Sequence, residues 1–235
     1  MKIQDSVVFV TGANRGLGLA FAKAALAAGA RKVYAAARDP GSLAGVEGVQ
    51  PVPLDVTQPA QVEAAARACG DVTLLINNAG ISRGASLLGS PDAMDAARAE
   101  LETNFFGPWA TARAFAPVLA AQGGGAIVNV LSALSWLSLP AAATYSATKS
   151  AAWSLSNGLR NELRAQGTQV VSVHVAFMDT DMAARVPGPK TAPQDVVQQT
   201  FAALASGAHE VLADAVTREL KKSLSTDAPA YAAAR

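Results

Sequence analysis

Val7-Val8-Phe9-Val10-Thr11-Gly12-Ala13-Asn14-Arg15-Gly16-Leu17-Gly18 is the stretch that decides the fold. Val7 to Val10 is apolar at every position, as expected of a strand covered on both faces in a parallel sheet. A turn of small residues follows directly, and Leu17 opens an Ala/Leu-rich helical segment. Small residues let the backbone turn tightly and approach a pyrophosphate. The helix N-terminus adds free N–H groups and the positive end of its dipole. A glycine-rich turn alone is a weak signal; the strand before it and the helix after it make it the signature of a dinucleotide site. Gly12, Asn14, Arg15, Gly16, Leu17 and Gly18 are therefore candidate cofactor contacts.

Outward from this stretch, short β-branched runs alternate with longer Ala/Leu-rich segments, the order of repeated βαβ units. Strands are predicted at Ser6–Val10, Lys32–Ala36, Gln50–Leu54, Val72–Asn77, Ala126–Leu131, Gln169–Val175 and Glu210–Leu212. Helices are predicted near Leu17–Ala28, Gln58–Ala68, Ala93–Ala121, Tyr145–Arg164 and Asp195–Ser206. The class is α/β: one Rossmann-type doubly wound domain over residues 1–235, about seven parallel strands with helices on both faces. The length of 235 residues suits one domain better than two. Ala228 to Arg235 reads as a loosely held tail.

Composition narrows the function classes. Half the chain (51%) is apolar and 16% is charged, so it folds compactly rather than staying disordered. Lys+Arg 19 against Asp+Glu 18 leaves no field to gather a polyanion, which argues against nucleic acid and anionic membrane surfaces. No run approaches the ~18 apolar residues that span a bilayer, the N-terminus lacks a signal-peptide pattern, and the lone Cys69 makes no internal disulfide; a reducing cytoplasm is expected. The expected ligand is small.

The second strand ends in Ala35-Ala36-Ala37-Arg38, where NAD-binding domains commonly place an acid for the ribose 2′-hydroxyl. Ala37 is no acid, and Arg38 and Arg15 can converge on a 2′-phosphate, so NADP(H) is favoured over NAD(H). Asp39 remains a rival that could reach a hydroxyl. Asp55 and Val56 follow the third strand; Asp55 either meets the adenine or caps the next helix. Asn77-Asn78-Ala79-Gly80 ends the fourth strand at the carboxyl edge, where Asn78, Ala79 and Gly80 would flank the cofactor.

Tyr145 and Lys149 stand four apart at the start of a helix, so their side chains share one face. An ammonium beside a phenol favours phenolate and would lower its pKa, making Tyr145 an acid/base. Ser132, just past the fifth strand, can stabilise charge at a reacting oxygen. Nucleophilic triads are disfavoured: the chain has two histidines, His174 and His209, which read as core or surface residues, and no Gly-x-Ser-x-Gly elbow. One Cys and two distant His offer no metal cluster, so no metal site is expected.

Together, Thr11-Gly12-x-x-x-Gly16-x-Gly18, Asn77-Asn78-Ala79-Gly80, Asn104, Ser132 and Tyr145-x-x-x-Lys149 make the chain, from about Val7 to about Met182, resemble the single-domain short-chain dehydrogenases/reductases. The resemblance implies Tyr145 as proton donor and acceptor, Ser132 as carbonyl orienter and Lys149 as holder of the nicotinamide ribose. It implies that Asn104 fixes a water extending the proton relay, that Thr180 contacts the nicotinamide carboxamide, and that the protein is a homodimer or homotetramer joined through the helices bearing Asn104 and Tyr145. One departure stands out: Val175-Ala176 occupies the place of the family's usual Pro-Gly, leaving the local loop path open.

The implied reaction is NADPH-dependent reduction of a ketone or aldehyde by reversible hydride transfer. Ala133, Leu134, Trp136, Leu139, Met178 and Met182 are candidate substrate contacts, though they could equally be core, and they favour an apolar carbonyl or alcohol. A short loop at residues 181–195, with Pro187, Pro189 and Pro193, suggests a small lid. Two alternatives stay open: a 3-oxoacyl-thioester reductase, and a non-catalytic NADP-binding sensor.

Overall fold

A computed structural model describes residues 1–232. Its centre is a seven-stranded sheet in the order β3-β2-β1-β4-β5-β6-β7, with every strand pair parallel. The strands are β1 (Val7–Thr11), β2 (Lys32–Ala37), β3 (Val49–Pro53), β4 (Leu74–Asn77), β5 (Ala126–Val130), β6 (Gln169–His174) and β7 (Glu210–Leu212). The order reverses between β1 and β4, and there the strand ends splay to form the ligand crevice of doubly wound sheets.

The apolar runs explain the layering. Val8 and Val10 point into one core with Phe21 of α1 (Gly16–Ala27) and Val196 of α6 (Pro193–Ser206). Val7 and Phe9 point into the other, against α2 (Pro59–Ala68), α4 (Gly107–Ala121) and α5 (Ala143–Glu162), with Phe115 4.7 Å from Phe9 between ring centres. Alternation sends successive side chains to opposite faces, and both faces are apolar because both are covered. On the edge strand β3, Pro51 and Pro53 are exposed, as suits residues that donate nothing to a further strand.

Two departures from the sequence reading bear on the site. The single helix expected over Ala93–Ala121 is instead α3 (Ala93–Leu101), a π turn at Glu102–Phe106 and then α4. Pro108 lacks the N–H that a regular helix needs there, and Gly107 donates to Glu102 five residues back. Gly107 also packs where a Cβ would sit 2.8 Å from Val56 Cγ2, so this turn closes directly on the loop after β3. A further helix, α7 (Ala215–Ser223), follows β7. Its start is a capping box: Asp214 Oδ1 accepts from Thr217 N at 2.8 Å, and Thr217 Oγ1 accepts from Asp214 N at 3.2 Å. Of the expected tail, residues 230–232 form a short 3₁₀ turn with Ala230 against the Trp136 cluster; residues 233–235 lie outside the described part.

Candidate active site

At the carboxyl ends of the strands lies a cavity of about 1220 Å³, and most of the sequence candidates meet on its walls. Gly12, Asn14, Arg15, Gly16 and Leu17 form one end; Arg38, Asp55, Val56, Asn78, Ala79 and Gly80 continue it; Ser132, Tyr145, Lys149 and Thr180 lie further along.

The glycine turn is built for close approach. Gly12 and Gly16 adopt φ of +63° and +52°, which side-chain-bearing residues rarely do. A Cβ on Gly18 would sit 2.2 Å from Gly12 O, so Gly18 lies behind the turn, packing helix on strand rather than facing the cavity. No side chain caps the start of α1 and its first turn holds no acid, so its N–H groups face the cavity. That donor set and the positive helix end fit a pyrophosphate.

Asn78 Nδ2 donates to Thr11 O (2.9 Å) and Gly12 O (3.1 Å), while Thr11 Oγ1 accepts from Asn78 N and Ala79 N, each at 3.0 Å. The two adjacent amides thus cross-link strand ends, and Asn77 does the same underneath, donating to Asn129 Oδ1 at 2.9 Å. Asp39 Oδ1 accepts from Gly41 N at 2.9 Å and caps a 3₁₀ turn, which engages the rival for the ribose. Arg15 pairs with Asp181 at 3.0 Å, both exposed, whereas Arg38 makes no ion pair among the described residues. Asp55 Oδ1 accepts from Thr57 N (3.0 Å) and Oγ1 (2.8 Å), the capping alternative, while still lining the cavity.

Ser132 Oγ accepts from Leu134 N at 3.1 Å and stands close enough to the Tyr145 phenol to influence its ionisation. Burial raises the pKa of Tyr145; the Ser132 hydroxyl opposes this and the buried charge of Glu100 adds to it. Lys149 is 5% exposed, donates to Val130 O at 2.9 Å, and lies 5.5 Å from the Tyr145 ring centre. Burial brings its pKa down to about 8. The expected lowering of the phenol by the ammonium is thus not what dominates: desolvation acts on both groups and pushes each toward its neutral form.

Asn104, buried in the π turn, does not line the cavity. It clamps Ile81, accepting from Ile81 N and donating to Ile81 O at 2.9 Å each, and donates to Thr148 Oγ1 at 3.0 Å. A Cβ on Gly80 would meet Asn104 Oδ1 at 3.3 Å and Lys149 Nζ at 3.8 Å, so the amide stands beside the lysine across this glycine.

Val175, in place of proline, prolongs sheet pairing by accepting from Ala133 N at 2.9 Å, and Ala176 N donates to Asp214 Oδ2 at 2.7 Å. The chain then loops out and closes on itself through a Met178–Thr191 bridge, which holds Thr180 over Gly16. Ala133, Leu134, Leu139, Met178 and Met182 line the cavity; Trp136 does not, because it packs with Leu137 and Leu220 in a small separate core. Sequence reasoning missed Leu137, Val216 and Leu220 on the wall, and Glu100, which is fully buried with Oε1 accepting from Arg83 N at 2.6 Å. Val216, Leu220 and Leu224 recur at four-residue spacing behind an Asp-x-x-Thr cap, a signal that could have revealed α7.

The short chain dehydrogenase family model matches residues 6–190. The cattle (Bos taurus) dehydrogenase/reductase SDR family member 7B is 32% identical over 222 residues, 85% of this chain and 66% of that protein's length. A short chain dehydrogenase from Burkholderia cenocepacia, solved in complex with NADP, is 45% identical with a TM-score of 0.93, over 97% of this chain and 95% of that one. Another from Burkholderia phymatum, solved with NAD, is 28% identical with a TM-score of 0.83, over 95% of each chain. A dinucleotide-fitting turn, a Ser-Tyr-Lys wall and a family match over most of the length converge on one conclusion: this chain is an oxidoreductase of the short-chain dehydrogenase/reductase family.

Proposed function

We propose that the protein is an NADPH-dependent carbonyl reductase, moving a hydride reversibly between the cofactor and an apolar ketone or aldehyde. What carries the reading is that the uncapped glycine turn and the Ser132, Tyr145 and Lys149 side chains face one cavity. Gly12 to Leu17 and Asn78 to Gly80 would hold the dinucleotide, Lys149 its nicotinamide ribose, and Thr180 its carboxamide. The bound nicotinamide supplies the hydride in the reducing direction.

Ser132 donates to the carbonyl oxygen, fixing it beside Tyr145. As that oxygen gains negative charge, the Tyr145 hydroxyl gives up its proton to it, leaving an alcohol and a phenolate. A phenol whose pKa is raised by burial stays protonated at neutral pH, the form reduction needs. Lys149, still charged below about 8, then stabilises the phenolate, and Asn104 supports the lysine from the π turn in the family's relay position.

Arg38, without an ion pair among the described residues where Arg15 and Asp39 are engaged, supports NADP(H) over NAD(H), in keeping with the NADP bound by the Burkholderia cenocepacia protein. Leu134, Leu137, Leu139, Met182, Val216 and Leu220 support an apolar substrate. Arg83 also reaches the lining, the one observation favouring the 3-oxoacyl-thioester alternative. Phe106 and Trp109, stacked 6.3 Å apart and over 40% exposed at the start of α4, support a homodimer or homotetramer through that face.

The test is nicotinamide absorbance with NADPH and NADH in parallel, against aryl ketones, aliphatic ketones, aldehydes and an acyl-thioester analogue. Ketone-dependent loss of NADPH is expected. Turnover of the thioester alone would establish the alternative, and cofactor binding with no turnover would favour the sensor.

A further inference from the structure

His174, the last residue of β6, is fully buried and faces none of the cavity, yet it touches the active-site turn twice. Its Nδ1 lies 3.2 Å from the backbone oxygen of Ser132. Its ring stacks on Trp136, centroids 4.0 Å apart and planes 24° from parallel. Ser132 and Trp136 are the two ends of the 3₁₀ turn Ala133–Ser135, so the imidazole grips that turn at both ends. On its far side Nε2 lies 3.3 Å from Glu210 Oε1, at ion-pair distance but without hydrogen-bond alignment, and it has no other partner.

The protonation state follows from the neighbours. A carbonyl oxygen and a carboxylate both only accept, and a neutral imidazole carries one N–H. Either neutral tautomer would set a lone pair beside an acceptor, Ser132 O or the half-buried Glu210; the imidazolium alone carries N–H on both sides. Glu210 is ionised: burial opposes its charge, but the adjacent His174 ring and the Lys221 ammonium outweigh this and bring its pKa to about 2. The other charged groups around the ring have partners of their own. Lys221 of α7 shares Glu210 Oε1 at 3.0 Å and lies over the Trp136 and Trp153 rings. Arg160 of α5 donates to Ser172 Oγ and His209 O, Arg218 of α7 donates to Leu212 O, and Asp214 accepts from Ala176 N. A face of Trp136 against the ring favours its cationic form.

We propose that His174 is a positioning residue: held as an imidazolium against Glu210, it fixes the Ser132–Trp136 turn, and through it the hydroxyl that faces Tyr145. The consequence for turnover rests on the role given to Ser132 above; the charge of the ring does not. Loss of the ring proton removes one of its two donors and sets a lone pair toward either Ser132 O or Glu210, loosening the turn without touching cofactor or substrate.

The experiment uses the full-length protein labelled with ¹⁵N at its two histidines and ¹³C at serine carbonyls. The expected spectrum has both His174 nitrogens protonated at neutral pH; a neutral His174 there overturns the proposal. In Glu210→Gln the ring is expected to lose its proton at lower pH, with the Ser132 carbonyl shift following the same titration and NADPH affinity unchanged. Reductive kcat should fall roughly ten- to hundredfold as pH rises through that titration, the scale of a small misplacement at a reacting centre. A Ser132 carbonyl shift indifferent to the ring's charge overturns the positioning role even if Glu210→Gln folds normally. Should Glu210→Gln not fold, His174→Asn keeps one donor toward Ser132 O without the charge, and a pH-independent kcat matching the parent enzyme overturns it equally. Absence of any carbonyl turnover would sink the reductase reading alone, leaving the two spectra to decide His174.

Discussion

The two ends of the cavity are built by different means. At the nucleotide end the pyrophosphate cradle is made of backbone groups, set by glycines within a dozen consecutive residues spanning β1 and the start of α1. At the substrate end they are apolar side chains drawn from the turn after β5, the loop after β6 and helix α7, separated by some eighty residues of chain. A backbone cradle tolerates almost no change at its close approaches, while a side-chain wall can be recut at modest cost. On the proposed function, the one end would recognise what the NADP and NAD of the two Burkholderia proteins share, and the other would be where substrate choice varies.

Gly18→Ala tests the cradle most severely. Its Cβ would lie 2.2 Å from Gly12 O and 2.5 Å from Asn78 Nδ2, and backbone cannot step aside as a flexible side chain can. Overpacking of this kind costs ~1–3 kcal/mol, so NADPH and NADH affinities should both fall, by up to roughly a hundredfold, in calorimetric titrations. Unchanged affinity would show that the α1–β1 approach is not limiting. Arg38→Asp should act on one cofactor only. Losing a charge-assisted contact weakens NADPH roughly tenfold or more while NADH is spared; equal loss for both would remove Arg38 as the 2′-phosphate reader.

Between the two ends, Lys149 carries a cost. Its pKa falls from 10.5 in the unfolded chain to about 8 in the fold, so between these values the unfolded chain binds more protons. Stability contributed through this group therefore rises with pH across that window and is at its lowest below about pH 8. Lys149→Met should be inactive yet melt higher near neutrality, by about 2–4 °C for each kcal/mol of relief, with the gap closing toward pH 10.5. A lower melting temperature for the variant would contradict the burial argument. The smallest effect is expected at the far wall: Val216→Ala should change KM for bulky ketones roughly three- to tenfold, the worth of one or two methyl groups, and leave NADPH affinity alone. A change in cofactor affinity instead would mean that α7 belongs to the nucleotide end.

The same contrast explains what was legible in the sequence. The strands of the sheet and the glycine turn could be read because their signals are local: runs such as Val7 to Val10 and turns such as Thr11-Gly12 name their own conformation. Tyr145 and Lys149 were legible through helical spacing, and Ser132 through its place past a strand. Trp136 was misplaced because an apolar residue near a strand end looks the same whether it lines a cavity or backs it; what settles it is stacking on His174, forty residues away. The π turn at Glu102–Phe106 was hidden because the apolar pattern runs through it, the only local hints being Gly107-Pro108. The direction of the Tyr145 shift was misread for a similar reason: spacing brings the ammonium near, but burial, a tertiary property, outweighs it.

Tyr145→Phe decides the central claim, that one half-buried phenol delivers the proton in a cavity shared with the dinucleotide. NADPH affinity and single-turnover reduction of the best ketone are to be measured on both proteins. The account predicts affinity within about twofold and a rate lower by roughly 10²–10⁴-fold, the usual worth of a positioned general acid. A rate within a few-fold of the parent enzyme would contradict it.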